Sequence, residues 1–284
     1  MWDNIGTIRN RGFEFSLNTV NITNTDFKWS TNLNFSLNRS LVTKLSGSPI
    51  YTWGGRIIQG GPLNEFFGYI REGVFNTDEE AKEYYGASGR AGDIKYKDVD
   101  GNGSKNPEDR VSLGNAMPKW EANMTNTVSY KGLSLFIDLQ VMYGNKLLNN
   151  TRHQMESPST NVNTFKEMLN SWTPENHNQT LPQLRLAGDN VKGVEVGDSY
   201  FVENGSFLRV RNIGLSYKLN PVWLKQTLIK SVNLGVNVEN AFLFTKYTGF
   251  DPEYTSFDAK LNQGFDNYQY PKPRTISLTL NANF

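Results

Sequence analysis

Ile276, Leu278, Leu280, Ala282 and Phe284 share one face of the chain's last segment, while Thr275, Ser277, Thr279, Asn281 and Asn283 share the other. Strand side chains alternate with a period of two, so one face meets an apolar medium and its reverse meets water. Six earlier segments repeat the pattern. Phe13, Phe15 and Leu17 begin the first; Phe27, Trp29, Leu33, Phe35 and Leu37 form the second. Trp120, Ala122, Met124, Val128 and Tyr130 are in phase, as are Leu133, Leu135, Ile137, Leu139, Val141 and Tyr143. A fifth run, Ile213, Leu215, Tyr217 and Leu219, follows Leu208 and Val210 in the opposite phase, which predicts a β-bulge near Arg211-Asn212. The sixth carries Val232, Leu234, Val236, Val238 and Phe242. Strands this long exceed the globular norm of about 5–6 residues and suit a tilted bilayer crossing. A soluble antiparallel sheet on a core alternates in the same way.

Connection lengths separate these readings. Asn24–Asp26 and Lys131-Gly132 are tight polar turns, and Asn220-Pro221 opens a short helix between the fifth and sixth segments. The other connections, 40–119, 145–205 and 244–273, are far longer. Successive strands run up and down, so short turns fall on one rim and long loops on the other, as in outer-membrane barrels. That places the loops outside the cell and the C-terminus in the periplasm. Aromatic residues gather near strand ends, consistent either with an interfacial girdle or with ordinary strand propensity.

Composition changes the picture little. The 284 residues carry a formal charge of +1, no cysteine and a mean hydropathy of −0.54. No basic excess exists to neutralise phosphates, so no nucleic-acid partner is expected. Disulfides and thiolate metal sites are excluded. No apolar run reaches the ~18 residues of a transmembrane helix. After Met1 no secretion signal follows, so the chain is expected to be cytoplasmic or a piece of a longer precursor, and the strands favour the second.

The long connections carry structure of their own. Thr77-Asp-Glu-Glu80 predicts a capped helix, and Thr164–Trp172 a second, stopped by Pro174. The sharpest motif lies between them. Asp98, Asp100 and Asn102 occupy positions one, three and five of a calcium loop. Gly103 takes the turn position, Ser104 offers a carbonyl, Asn106 stands at nine and Asp109 closes at twelve. Alternating oxygen ligands suit a hard cation, giving a structural Ca²⁺ that braces the loop. The same stretch also reads as a solvated series of Asx turns without an ion. Aromatic loop residues such as Tyr51, Trp53, Phe66, Tyr69, Trp172, Tyr247, Phe250 and Tyr254 could stack on sugars, anchor a partner or pack on one another. Enzymatic signals are poor. His153 and His177 lack metal-ligand spacing, no nucleophile elbow or phosphate loop occurs, and Asp251-Pro-Glu253 reads as a turn. A secreted, soluble β-sandwich binding module with a calcium-braced loop is the alternative from another class.

Gly61-Pro-Leu-Asn-Glu-Phe-Phe-Gly-Tyr69, Gly73-Val-Phe-Asn-Thr-Asp-Glu-Glu-Ala81, Gly92–Gly103, Asp109-Arg110 and Leu113–Pro118 resemble the SusC/RagA class of TonB-dependent outer-membrane transporters. Ile5–Glu14, Asp251-Pro-Glu253 and the closing Phe284 fit the same pattern. The resemblance implies an all-β, antiparallel up-and-down transmembrane barrel. This chain would supply about seven C-terminal strands of a 22-stranded barrel, with the plug domain and the TonB-binding segment absent. It also implies import of glycans or peptides with a SusD-like lipoprotein and energy from TonB, with Phe284 as the membrane-assembly signal.

Overall fold

The computed structural model describes residues 5–157, 163–177, 179–186, 189–253 and 263–284. Seven long strands form one antiparallel sheet: β1 (Gly6–Thr23), β2 (Phe27–Leu45), β3 (Trp120–Tyr130), β4 (Leu133–Tyr143), β5 (Phe207–Lys218), β6 (Ser231–Thr245) and β7 (Thr275–Asn283). Each pairs with its neighbour in sequence, so the order is up-and-down throughout. Tight turns make this the cheapest connection. Lys131 (φ 46°) and Gly132 (φ 89°) hold the left-handed pair that a two-residue hairpin between β3 and β4 requires. Asn220 caps a single 3₁₀ turn, Pro221–Leu224, by accepting from the Val222 N–H at 3.0 Å, where the sequence had predicted a short helix.

Register keeps the two faces distinct across the sheet. Ile22, Trp29, Val128, Leu135, Leu215, Val236 and Leu278 are successive cross-strand partners on one face. Asn18, Asn32, Thr125, Asp138, Asn212, Glu239 and Thr275 are partners on the other. The register between β5 and its neighbours shifts between Val210 and Asn212, the predicted bulge, and it returns Leu208 and Val210 to the apolar face. Among the described residues no second layer covers that face, and Leu278 is 85% exposed. A β-sandwich would bury it.

The three long connections gather at the long-loop rim. Strand β2 runs on to Leu45, so the actual connections are 46–119, 144–206 and 246–274. They fold into a cap of short sheets: residues 50–52, 55–57, 65–68 and 111–115 form one, and 146–149, 202–204 and 265–266 another. Helix α1 (Asp78–Tyr85) is capped by Thr77 as predicted. The stretch expected to be helical before Trp172 holds only a 3₁₀ turn, Lys166–Asn170, whereas α2 (Asn150–Met155) had no clear signal in the sequence. Phe66, Ala116, Leu148, Val202 and Phe265 form the core of the cap, drawn from all three loops.

Candidate functional site

The site is the polar face of the wall together with the cap fastened over it. On that face the side chains bond along and between strands. Ser16 Oγ donates to Asn34 Oδ1 at 2.7 Å, Asn34 Nδ2 to Asn32 Oδ1 at 2.8 Å, and Asn32 Nδ2 to Asn18 Oδ1. Thr125 Oγ1 donates to Asp138 Oδ1 at 3.2 Å. The amide oxygens of Asn123, Gln140 and Asn212 are shielded yet accept nothing from the described residues. Unmet acceptors on a shielded surface suit a donor from outside the sheet.

Arg209 closes this face from above. It projects from β5 with 3% of its surface exposed and donates to Asp251 Oδ1 at 2.5 Å. Its Nε lies 3.3 Å from Glu253, which also binds Lys272 at 2.6 Å and accepts from Gln140 Nε2 at 3.2 Å. The Asp-Pro-Glu turn is therefore a latch between the third loop and the wall. Burial alone would raise the pKa of Glu253, but Lys272, Gln140 and Arg209 together outweigh it and hold the carboxyl below its ordinary value.

Two further buried ion pairs join the first loop to the second. Arg71 Nε donates to Asp198 Oδ2 at 2.7 Å, and the Tyr96 hydroxyl donates to the same oxygen at 2.7 Å. Arg185 Nη1 donates to Asp93 Oδ1 at 2.7 Å. Burial, then the Asp198 charge, push the Tyr96 phenol well above its usual range, so it stays a donor. The close approach behind Asp198 needs a glycine. A Cβ on Gly68 would stand 1.8 Å from the Gly197 carbonyl oxygen, and Tyr69 N donates to that oxygen at 2.7 Å. The Gly-Tyr pair of the sequence motif is thus a packing requirement. His153, buried beside Phe201, is pushed down by burial and meets no second imidazole.

The acidic loop brings three of its six predicted ligands together. One carboxylate oxygen from each of Asp98, Asp100 and Asp109 lies within 4.8 Å of the others. Asp98 accepts from the Gly101, Asn102 and Gly103 N–H groups, and these bonds, that of Gly103 first, lower its pKa. Asp109 accepts from Val99 N at 2.7 Å and Asn106 N at 3.0 Å. The side-chain oxygens of Asn102 and Asn106 accept from Ser104 N and Glu108 N, within the loop. Positions one, three and twelve converge, and their hard anionic oxygens fit a divalent cation.

Of the predicted loop aromatics, Phe66, Tyr69, Trp172 and Tyr247 are buried in the cap, while Tyr51, Trp53 and Phe250 face outward. Tyr254 lies outside the described residues. Arg71, Asp93, Arg185, Asp198 and Arg209 were missed by sequence reasoning. Only Asp93, inside the Gly92–Gly103 stretch, entered that reading, and without a role.

No family model matches the chain. It is 32% identical, over 99% of its length, to TonB-dependent receptor P3 of Formosa agariphila, of which it covers 29%. It is 29% identical, over its whole length, to TonB-dependent receptor SusC of Bacteroides thetaiotaomicron, covering 27% of that protein. Among solved structures it superposes on the RagAB peptide importer in its closed-closed state, with a TM-score of 0.76, 25% identity and 98% of the chain covered, against 30% of the matched chain. It therefore spans under a third of the length of the curated relatives it matches.

Proposed function

Because the chain is related over nearly its whole length to TonB-dependent receptors of the SusC/RagA family, we propose that it forms part of the wall and the extracellular cap of an outer-membrane nutrient importer. The uncovered apolar face carries this reading. A continuous greasy row crosses seven strands with no protein layer against it among the described residues, and lipid is the medium that would cover it. The polar face would then line or buttress the lumen. Its unmet acceptors on Asn123, Gln140 and Asn212 would meet donors from a plug or from cargo. The cargo class is glycans, oligosaccharides or peptides. A SusD-like lipoprotein would close the outer face, and TonB would act through a region outside this chain. The relatives are receptors and transporters, and the chain is not an enzyme.

Orientation is testable on intact cells. Added protease should cut within 46–119 or 144–206 and spare the turns at 24–26 and 131–132, while the native-length protein fractionates with the outer membrane. Cleavage at the short turns alone would overturn the orientation, and recovery in the aqueous phase would overturn the barrel. Phe284 is proposed as the assembly signal, so its deletion should lower outer-membrane insertion while leaving synthesis unchanged.

The acidic loop is proposed to hold a structural Ca²⁺ through Asp98, Asp100 and Asp109, with Asn102, Asn106 and the Ser104 carbonyl completing the shell. Affinity should be that of extracellular modules, with a Kd of about 10⁻⁴–10⁻³ M. Calcium titration by calorimetry should show this on the wild type and lose it in Asp98→Asn with Asp100→Asn. Equal heats from both proteins would remove the ion from the account.

A further inference from the structure

The upper end of the apolar face carries a charge pattern that transport does not explain. Starting from the turn at 24–26, the first strand reaches Phe13 after about the 9–11 residues that a tilted bilayer crossing takes. At that height Phe13, Phe15, Phe35, Trp120 and Tyr143 form an aromatic band on the outer face. Phe35 stacks on Trp120 at 5.9 Å, and Trp120 on Tyr143 at 5.3 Å. Such bands mark the boundary between hydrocarbon and headgroups. Immediately beyond it the same face turns basic. Arg11 and Arg39 are two residues past Phe13 and Leu37, and Arg9 is two further.

Arg11 and Arg39 are direct cross-strand partners on one face. Like charges placed opposite each other destabilise a sheet, unless an anion lies between them. Among the described residues no carboxylate forms an ion pair with Arg9, Arg11 or Arg39. The Nη1 of Arg39 bonds only to carbonyls, those of Asn38, Pro118 and Lys119. Where β2 outruns β3, a pocket of about 390 Å³ opens beside Arg39, with Lys119 and Lys146 on its wall. Its one acid, Glu65, is already held by Arg56 at 2.7 Å. The net charge of the patch is thus positive, at the height where lipid headgroups sit.

Building on the membrane reading above, we infer that this patch binds the net-anionic, phosphorylated headgroup of a lipid in the leaflet at the long-loop rim. Arg11 and Arg39 grip the phosphate, while Lys119 and Lys146 extend the site into the pocket. Basic side chains beside a membrane surface attract anionic lipid. The lipid in turn relieves the Arg11–Arg39 repulsion and fixes the height of the barrel in the membrane.

Native mass spectrometry of the native-length protein, extracted from membranes and exchanged into mixed micelles, tests this. Lipid A, a net-anionic glycolipid that bears phosphate, should be retained, and phosphatidylcholine, whose phosphate is balanced by its own ammonium, should not. Arg11→Gln with Arg39→Gln should lower retention on the order of tenfold, and Lys119→Gln with Lys146→Gln by less. Lys28→Gln, at the opposite rim, should change nothing. Equal retention by wild type and the double arginine variant would overturn the inference, as would an equal loss in Lys28→Gln. Displacement of lipid A by inorganic phosphate at matched concentration would reduce the site to a free-anion site and also overturn it. Heat-modifiable migration on gels is scored in parallel. A protein that inserts as a barrel but retains no lipid refutes this inference alone, whereas one that never inserts refutes the membrane reading beneath it.

Discussion

Leu278 on the wall is 85% exposed, whereas Asp198 in the cap has no exposed surface at all. The two regions arise from one chain and solve opposite problems. The wall exposes apolar side chains to a medium that the polypeptide does not supply, and between its two edge strands it satisfies its backbone by strand pairing. The cap faces water, has a small apolar core, and ties three loops together through charges removed from solvent. Order in the wall therefore depends on its surroundings, and order in the cap on a few named pairs. Substitutions should act differently in the two places.

The largest effect is expected in the cap. Asp198→Ala would leave the Arg71 guanidinium buried without its carboxylate and the Tyr96 hydroxyl with only the Gly193 carbonyl as acceptor, a loss of about 3–5 kcal/mol. Hydrogen exchange over residues 65–97 and 191–204 should rise by orders of magnitude while the strands of the wall stay protected. Replacing both partners, Arg71→Met with Asp198→Leu, should restore most of that protection, since an apolar pair of similar volume is often neutral. If the single and double variants exchange alike, the pair is not what fastens the cap.

The wall should answer to depth and face. Leu139→Arg places a charge halfway along β4 on the apolar face and should lower barrel stability in bilayers by about 2–4 kcal/mol. Thr125→Ala, on the reverse face, should change it by less than about 1 kcal/mol, the worth of one ordinary hydrogen bond. Equilibrium unfolding from phospholipid vesicles gives both values. Equal effects would mean that the two faces meet the same medium, which would erase the contrast between wall and cap.

How much of this was legible follows the same division. A period of two is written into every wall strand, so Leu135, Leu278 and their neighbours could be placed by counting, and even the bulge at Arg211 showed as a change of phase. Strand height and register set the remaining wall contacts, and those follow from the tight turns. The cap was legible only where a motif is local: Thr77 over α1, and Asp98, Asp100 and Asp109 within one loop. Arg71 and Asp198 are separated by 127 residues. Nothing in either one's neighbourhood marks it as half of a buried pair, because the pairing is decided by how two loops stack and not by either alone. The helix expected before Trp172 shrank to a 3₁₀ turn for the same reason. Met168 and Trp172 are buried by cap packing, and an amphipathic face was not needed.

The latch between the two regions should sharpen the contrast through pH. Glu253 lies in the cap but answers to Arg209 on the wall, and its folded pKa is held below the ordinary 4.5. The unfolded state therefore binds more protons in that range, and stability rises with pH through it. The latch's contribution is complete above the unfolded value and is lost as pH falls through the depressed folded value. Cutting of the 246–274 loop by an acid-active protease such as pepsin should stay slow at pH 5 and accelerate as pH is lowered. Glu253→Gln keeps the shape but carries no charge to lose, so its cutting should be faster at pH 5 and change less on acidification. Parallel curves for wild type and variant would show that the loop is held without the Glu253 charge. Arg209 and Asp251 would then carry the latch, both nearly buried and 2.5 Å apart.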